Sequence, residues 1–360
     1  MSVGDDSAAR AAPINLPWLA APLRTTLATR AAHALLISGP GNVGQFELAL
    51  ALARGWLCED DARPLAERPC GACPSCRLHA ARSHPDLLVL VPEAMRELLG
   101  WEPGGGEGDD GGEGGKRKPS KDIRVEAVRA AIAFATTTSA RGRGKFVVVH
   151  PAERMNEVAA SAFLKTLEEP AGDARFLLCS AAAEQLLPTI RSRCQPVALP
   201  VPDPAAATAW LEGQGVADAA VLLAASGGHP QDAAELAMRG LDAATWLALP
   251  RRVGQGDASV LQGWPLPLAV DALQKICHDA LCVACGGTPR YFPRERVAAG
   301  ASLAALLAWS RELARVATEV EHPWSVDLAI ESLVGQGREA LKTSRSTQGQ
   351  GGGLSIHSRR

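Results

Sequence analysis

Four short apolar runs mark the first half of the chain: His33–Ser38, Asp86–Val91, Phe146–Val149 and Phe176–Cys179. Each is a few residues long and lacks polar alternation, the pattern of strands covered on both faces. Helical stripes fall between them. One carries Val125, Val128 and Ile132; another carries Met155, Val158 and Ala162 and runs to Leu167, before Pro170 stops it. Strand alternating with helix predicts a parallel sheet in an α/β domain spanning residues 1–200. After Pro200-Val201-Pro202-Asp203-Pro204 the strand-like runs cease, and Ala- and Leu-rich helical segments continue to about Leu341. Among them, Leu303, Leu306, Leu307, Leu313 and Val316 form a stripe behind a predicted cap at Ser302. This all-helical part divides into a small domain, 201–243, and a bundle, 244–342. The glycine-rich stretch 103–121 and the polar tail 343–360 read as flexible and disordered, respectively.

Composition narrows the function classes. The 360 residues are 47% hydrophobic, enough for two or three cores, and the pattern above favours three. Lys and Arg number 37 against 39 acids, a net charge of −2, so the chain does not grip DNA or an anionic membrane through its own net charge. Aromatics make up 4%, too few for a single-strand stacking platform. No apolar run reaches the ~18 residues of a membrane span. Met1–Pro13 lacks a basic-then-apolar leader pattern, which predicts a cytoplasmic protein.

Two local patterns carry chemistry. Cys58, Cys70, Cys73 and Cys76 are spaced C-x11-C-x2-C-x2-C. Two-residue spacers let successive thiolates fold back onto one ion, and four of them close a tetrahedral structural zinc shell with no open catalytic position. A reducing compartment disfavours disulfides as the alternative, and the downstream Cys-Pro of a compact iron–sulfur run is missing. The remaining cysteines lack such spacing: Cys179 and Cys194 are expected to be buried, and Cys277, Cys282 and Cys285 to be core.

The second pattern follows the first strand. Gly39-Pro40-Gly41-Asn42-Val43-Gly44-Gln45-Phe46 has the spacing of a phosphate-binding loop, G-x4-G-K-[ST]. Gln45 stands where a lysine must reach the phosphates, and Phe46 where a hydroxyl must bind magnesium. His150-Pro151, after the third run, replaces the carboxylates expected there. Losing one preorganised electrostatic group costs ~10²–10³ in rate; with the whole set missing, ATP hydrolysis by this chain should be negligible. Near the end of the α/β domain, Ser192-Arg193-Cys194 closes a helix. Taken alone, Arg193 there complements the helix dipole; an arginine on such an end can also reach a neighbouring subunit's phosphoryl group.

Taken together these landmarks resemble the delta-prime family of bacterial DNA polymerase III clamp-loader subunits. The shared residues run in the family's order: Pro17-Trp18-Leu19, His33-Ala34-Leu35-Leu36-Ile37, the four-cysteine insert, His84-Pro85-Asp86, Leu164-Lys165-Thr166-Leu167-Glu168-Glu169-Pro170 and Ser192-Arg193-Cys194. The resemblance implies a P-loop AAA+ fold, with a RecA-like parallel sheet (1–200) carrying the zinc insert (58–76), a small helical lid (201–243) and an all-α collar (244–342). It implies assembly with tau/gamma motor subunits and delta in a hetero-pentamer that loads the beta sliding clamp onto primed DNA in the cytoplasm. A motor also needs a lid arginine, where this chain has Gln231 after Gly227-Gly228-His229-Pro230. The resemblance therefore implies the non-hydrolysing member, with Arg193 as an arginine finger in trans. Two departures stand out: Ser161 where the family usually has asparagine, and the length of loop 103–121. The competing expectations are an active motor, which should turn over Mg-ATP alone, and a zinc-dependent DNA-binding adaptor, which should bind DNA salt-sensitively.

Overall fold

The computed structural model describes residues 15–29, 32–101, 119–319 and 325–342. Most of the loop expected at 103–121, and all of the tail expected at 343–360, lie outside the described residues. The chain forms two compact units. The first comprises residues up to 214 together with 228–232, and the second comprises 215–227 and the residues from 233 on.

The first unit runs α1 (Ala20–Ala28), β1 (Ala34–Ser38), α2 (Gln45–Leu57), α3 (Pro74–Ala80), β2 (Leu87–Leu90), α4 (Glu93–Leu99), α5 (Val125–Thr136), β3 (Lys145–Val149), α6 (Glu157–Glu168), β4 (Ala174–Ser180), α7 (Pro188–Arg191), β5 (Gln195–Ala198) and α8 (Pro204–Gly213). The five strands make one parallel sheet in the order β2-β3-β4-β1-β5. Successive side chains of a strand point to opposite faces, and both faces are apolar. Leu35, Ile37, Phe146, Val148 and Leu177 pack on Leu48, Leu52 and Trp56 of α2. Leu36, Val147, Val149, Phe176 and Leu178 pack on Val128 of α5 and on Phe163 and Leu167 of α6. This is the expected P-loop α/β AAA+ class, a parallel sheet between helical layers.

Sequence and structure part at three places here. β5 follows no apolar run, because it is an edge strand paired only with β1 and most of its side chains are exposed. Edge position also tolerates Pro196. The buried face of α6 is Ala159, Ala160, Phe163 and Leu167, while Val158 is 61% exposed; the stripe is rotated by one position from the one predicted. On α5 the face centres on Val128, Ala131 and Ala135, with Val125 and Ile132 at its margins.

The second unit is all-helical: α9 (Ala219–Ala225), most of α10 (Pro230–Met238), α11 (Ala243–Gly254), α12 (Leu266–Ala284), α13 (Leu303–Thr318) and α14 (Val326–Ala340). Its core includes Trp246, Leu273, Ile276, Leu306, Trp309, Leu313 and Val334. Trp246 stacks on Phe292 with ring centroids 4.7 Å apart, and Trp309 Nε1 donates to the Leu333 carbonyl at 3.0 Å. Asp279, fully buried in α12, accepts the backbone N–H groups of Arg290, Tyr291 and Phe292, each at 2.8 Å. One buried carboxylate thus fixes the loop that follows its own helix. Ser302 occupies the N-cap position of α13, but its side chain makes no capping bond. Leu303 and Leu307 are partly exposed, and the buried stripe runs through Leu306, Trp309, Leu313 and Val316. Cys277 is buried as expected, Cys282 is half-buried, and Cys285 is exposed just past the end of α12, so Cys285 is not a core residue.

Candidate functional site

The phosphate-type loop joins the C-terminal end of β1 to α2, where parallel α/β sheets place their ligand sites. Its glycines are required locally. A Cβ on Gly39 would sit 2.2 Å from the Leu199 carbonyl oxygen, and Gly44 has φ +105°. The loop's polar groups are engaged within the first unit. The Gln45 amide donates to the carbonyls of Gly39 and Pro40 at 2.9 and 2.6 Å, so the side chain folds back into the loop. The imidazole of His229 bonds the Gly41 carbonyl at 2.5 Å, and Asn42 donates to Asp232 at 2.5 Å. Gln231 donates to Glu47 at 2.7 Å. Two carboxylates, Asp232 and Glu47, thus lie beside a loop that lacks the phosphate-binding lysine.

Position 46, where the loop spacing predicts a magnesium-binding hydroxyl, carries an aromatic ring. Phe46 stacks on His150, centroids 4.7 Å apart and planes 20° from parallel. Burial pushes the His150 imidazole down to about 4, so it is neutral near pH 7. Neither ring offers a hard anionic oxygen to a divalent ion. Glu153, three residues beyond His150, instead accepts the Ala181 N–H at 3.1 Å.

Arg193 lies two residues past α7, and its side chain is one-third exposed. It donates to the Thr189 carbonyl at 3.0 Å, which is the helix-end role read from sequence. It also pairs with Glu168, a contact the sequence reading missed because the two residues belong to separate motifs. Ser192 is exposed and its hydroxyl donates to the Thr189 carbonyl at 3.1 Å. Cys194 is buried, and burial pushes its thiol up to about 11, so it packs as a neutral group.

The four cysteines converge. Cys58 caps the end of α2, Cys70 and Cys73 lie in the following loop, and Cys76 is in α3. All four Sγ atoms lie within 4.8 Å of one another, with Cys58–Cys73 at 3.9 Å and Cys70–Cys76 at 4.0 Å. A tetrahedral ion with metal–sulfur bonds of about 2.3 Å requires sulfur separations of about 3.8 Å. Backbone N–H groups of Glu59, Cys70, Cys73 and Cys76 point at the sulfurs at 3.3–3.5 Å, as suits thiolates. Burial, reinforced by the neighbouring Cys73 and Cys58 sulfurs, pushes the Cys76 thiol up to about 12; a cation at the centre is what would bring it into the ionised form. The cluster can hold a metal ion.

This module is tied to the sheet through residues that spacing does not reveal. Glu59 and Asp61 pair with Arg141 and Arg143 at 2.5 and 2.6 Å. Asp86 N–H donates to His84 Nδ1 at 3.0 Å, which puts the imidazole proton on Nε2, 2.7 Å from Ser75 Oγ of α3. Asp86 itself is fully buried and accepts Ser139 Oγ, Ala140 N–H and Arg141 N–H, with Lys145 Nζ at 3.0 Å. His84-Pro85-Asp86 therefore links the thiol module to the 139–145 loop.

A family model described as DNA polymerase III, delta subunit, matches residues 21–203. The chain is similar to DNA polymerase III subunit delta-prime of Pseudomonas aeruginosa, 40% identical over 232 residues, which cover 62% of each chain. It is also similar to the delta-prime subunit of Yersinia pestis, 37% identical over 203 residues, 55% of this chain and 52% of that one. The chain thus matches less than two-thirds of the length of these relatives. Among solved structures it is similar to a gamma subunit-related DNA polymerase III protein of Thermotoga maritima, at 18% identity and a TM-score of 0.46, over 90% of this chain and 99% of that one.

Proposed function

The chain belongs to the DNA polymerase III delta-subunit family, and from that premise we propose that it is a clamp-loader subunit of delta-prime type that does not hydrolyse ATP. The observation that carries this reading is the phosphate-type loop, where Gln45 folds onto the loop's own carbonyls and Phe46 stacks on His150. A motor subunit needs a lysine, a metal-binding hydroxyl and a carboxylate at those places. In this reading residues 1–200 form the RecA-like domain, 201–243 the lid and 244–342 the collar. The partners are tau/gamma motor subunits and delta, with beta clamp and primed DNA engaged through the complex in the cytoplasm. The four thiolates hold a structural Zn²⁺, which suits all-sulfur tetrahedral ligation better than a hard cation does. Among the described residues no helix is long and apolar enough to cross a membrane.

Arg193 acts in this scheme as a finger on ATP held by the adjacent motor subunit. It is part-exposed, always charged, and placed on a helix end. The test mixes the purified chain with motor and delta subunits and measures complex size and clamp- and DNA-stimulated ATPase. A hetero-oligomer should form. Arg193→Ala should leave its size unchanged and lower the stimulated rate at least tenfold, a floor well under the ~10³–10⁵ that such fingers supply. No hetero-oligomer, or Mg-ATP turnover by the chain alone, refutes the proposal.

A further inference from the structure

The Arg193 guanidinium is held from two sides by its own chain. Nη2 pairs with Glu168, while Nη1 donates to the Thr189 carbonyl at 3.0 Å and to Ser192 Oγ at 3.3 Å. Glu168 is the last residue of α6 and Thr189 lies in α7, so the two anchors come from elements separated by β4. A guanidinium carries five N–H donors in a rigid plane. Among the described residues Nε makes no hydrogen bond and Nη2 meets only Glu168, while Nη1 serves two acceptors, so the Nε/Nη2 edge is the less engaged edge of the fork. That edge matches two oxygens of a phosphate group.

We propose that Glu168 is a positioning residue for Arg193, fixing the plane of the guanidinium so that its Nε/Nη2 edge meets a neighbouring chain's polyphosphate already ordered. The inference rests on the finger role given to Arg193 above. An arginine side chain loses much rotamer freedom when it is immobilised; one aligned beforehand loses less at the moment of reaction. A site is held to productive geometry by the residues that lock its reacting groups, and Glu168 is the acidic member of that support here. Sequence motifs separate the pair by 25 positions, yet the fold brings them into contact.

The experiment uses the reconstituted loader with clamp and primed DNA. Glu168→Ala should lower the stimulated kcat about 2- to 5-fold, the range open to a part-exposed ion pair, with KM for ATP and complex size unchanged. Glu168→Gln keeps a carbonyl acceptor and should lose less. The double variant Glu168→Ala/Arg193→Ala should be no slower than Arg193→Ala alone, whereas a purely structural role for Glu168 would add its own loss. A Glu168→Ala rate equal to or above wild type overturns the proposal, because the carboxylate would then be idle or a competitor for the arginine. An additive double variant overturns it as well. If Arg193→Ala itself matches wild type, the finger role has failed; if Arg193→Ala is slow and Glu168→Ala is not, only the present inference has.

Discussion

Asp86 is where charge, burial and connectivity meet, and its replacement has a calculable outcome. The carboxylate has no exposed surface and accepts three hydrogen bonds besides the Lys145 ion pair, whose own side chain is 9% exposed. Asp86→Ala strands the Lys145 ammonium beside the Pro85 carbonyl and the Phe134 ring, and leaves the Ala140 and Arg141 N–H groups without their acceptor. Removing one partner of a buried pair costs about 3–5 kcal/mol. Lys145→Met leaves Asp86 with its three other donors and should cost about 1–2 kcal/mol. In a unit of this size each kcal/mol corresponds to roughly 2–4 °C, so Asp86→Ala should lower Tm by roughly 6–20 °C. Burial opposes ionisation of Asp86, but the N–H groups of Ala140 and Arg141, with Lys145 and Ser139, outweigh it and hold the carboxyl below its ordinary value. A depressed carboxylate contributes its full stability above the unfolded value of about 3.9 and loses it as pH falls through the folded value. Asp86→Asn should therefore flatten the acid limb below about pH 4 and leave the slope near neutrality unchanged. Urea unfolding followed by far-UV circular dichroism, repeated across pH, measures all of this. The reasoning is refuted if Asp86→Ala lies within about 1 kcal/mol of wild type, or if Lys145→Met is the more damaging change.

Elemental analysis of the purified chain should find one zinc per molecule, and Cys70→Ser should lower that occupancy and open 58–76 to proteolysis while the sheet's circular dichroism persists. A preparation whose metal is iron, or a Cys70→Ser variant that keeps full occupancy, contradicts the zinc assignment. In the helical unit, Asp279→Ala removes the acceptor of three backbone N–H groups, at about 1–3 kcal/mol for each one left buried and unpaired. Hydrogen exchange at Arg290, Tyr291 and Phe292 should accelerate at least tenfold; unchanged protection would show that the loop is held by something else.

The central strands were legible because each is covered on both faces and so reads as an unbroken apolar run. β5 was not, since an exposed edge strand needs no such run, and Pro196 argues against a strand anywhere but an edge. Local spacing was enough to bring Cys70, Cys73 and Cys76 together, as ligands two residues apart can meet without help from the rest of the fold, whereas Cys58 is delivered across an eleven-residue spacer by the end of α2. Glu168–Arg193 and Glu59–Arg141 were invisible for the opposite reason: their partners meet only after strands have paired. The α6 stripe slipped by one position because Val158 looked like core, while alanines at 159 and 160, less conspicuous in sequence, line the buried side. At α13 the serine is in the right place but its hydroxyl makes no capping bond, so residue type marked the helix start without identifying what satisfies it.

The stacked pair Phe46–His150 also bears on how this chain can change. Phe46 is buried, and exchanging it alone for a threonine would open a void against the imidazole, at a cost near the 3–5 kcal/mol of a large aromatic truncation. Exchanging His150 alone for aspartate would press a carboxylate against a phenyl face with no cation to meet it. Each single step toward a magnesium site is therefore less fit to fold than the starting point. Two rings in contact act as a ratchet: a hydroxyl at 46 and a carboxylate at 150 would have to arrive together.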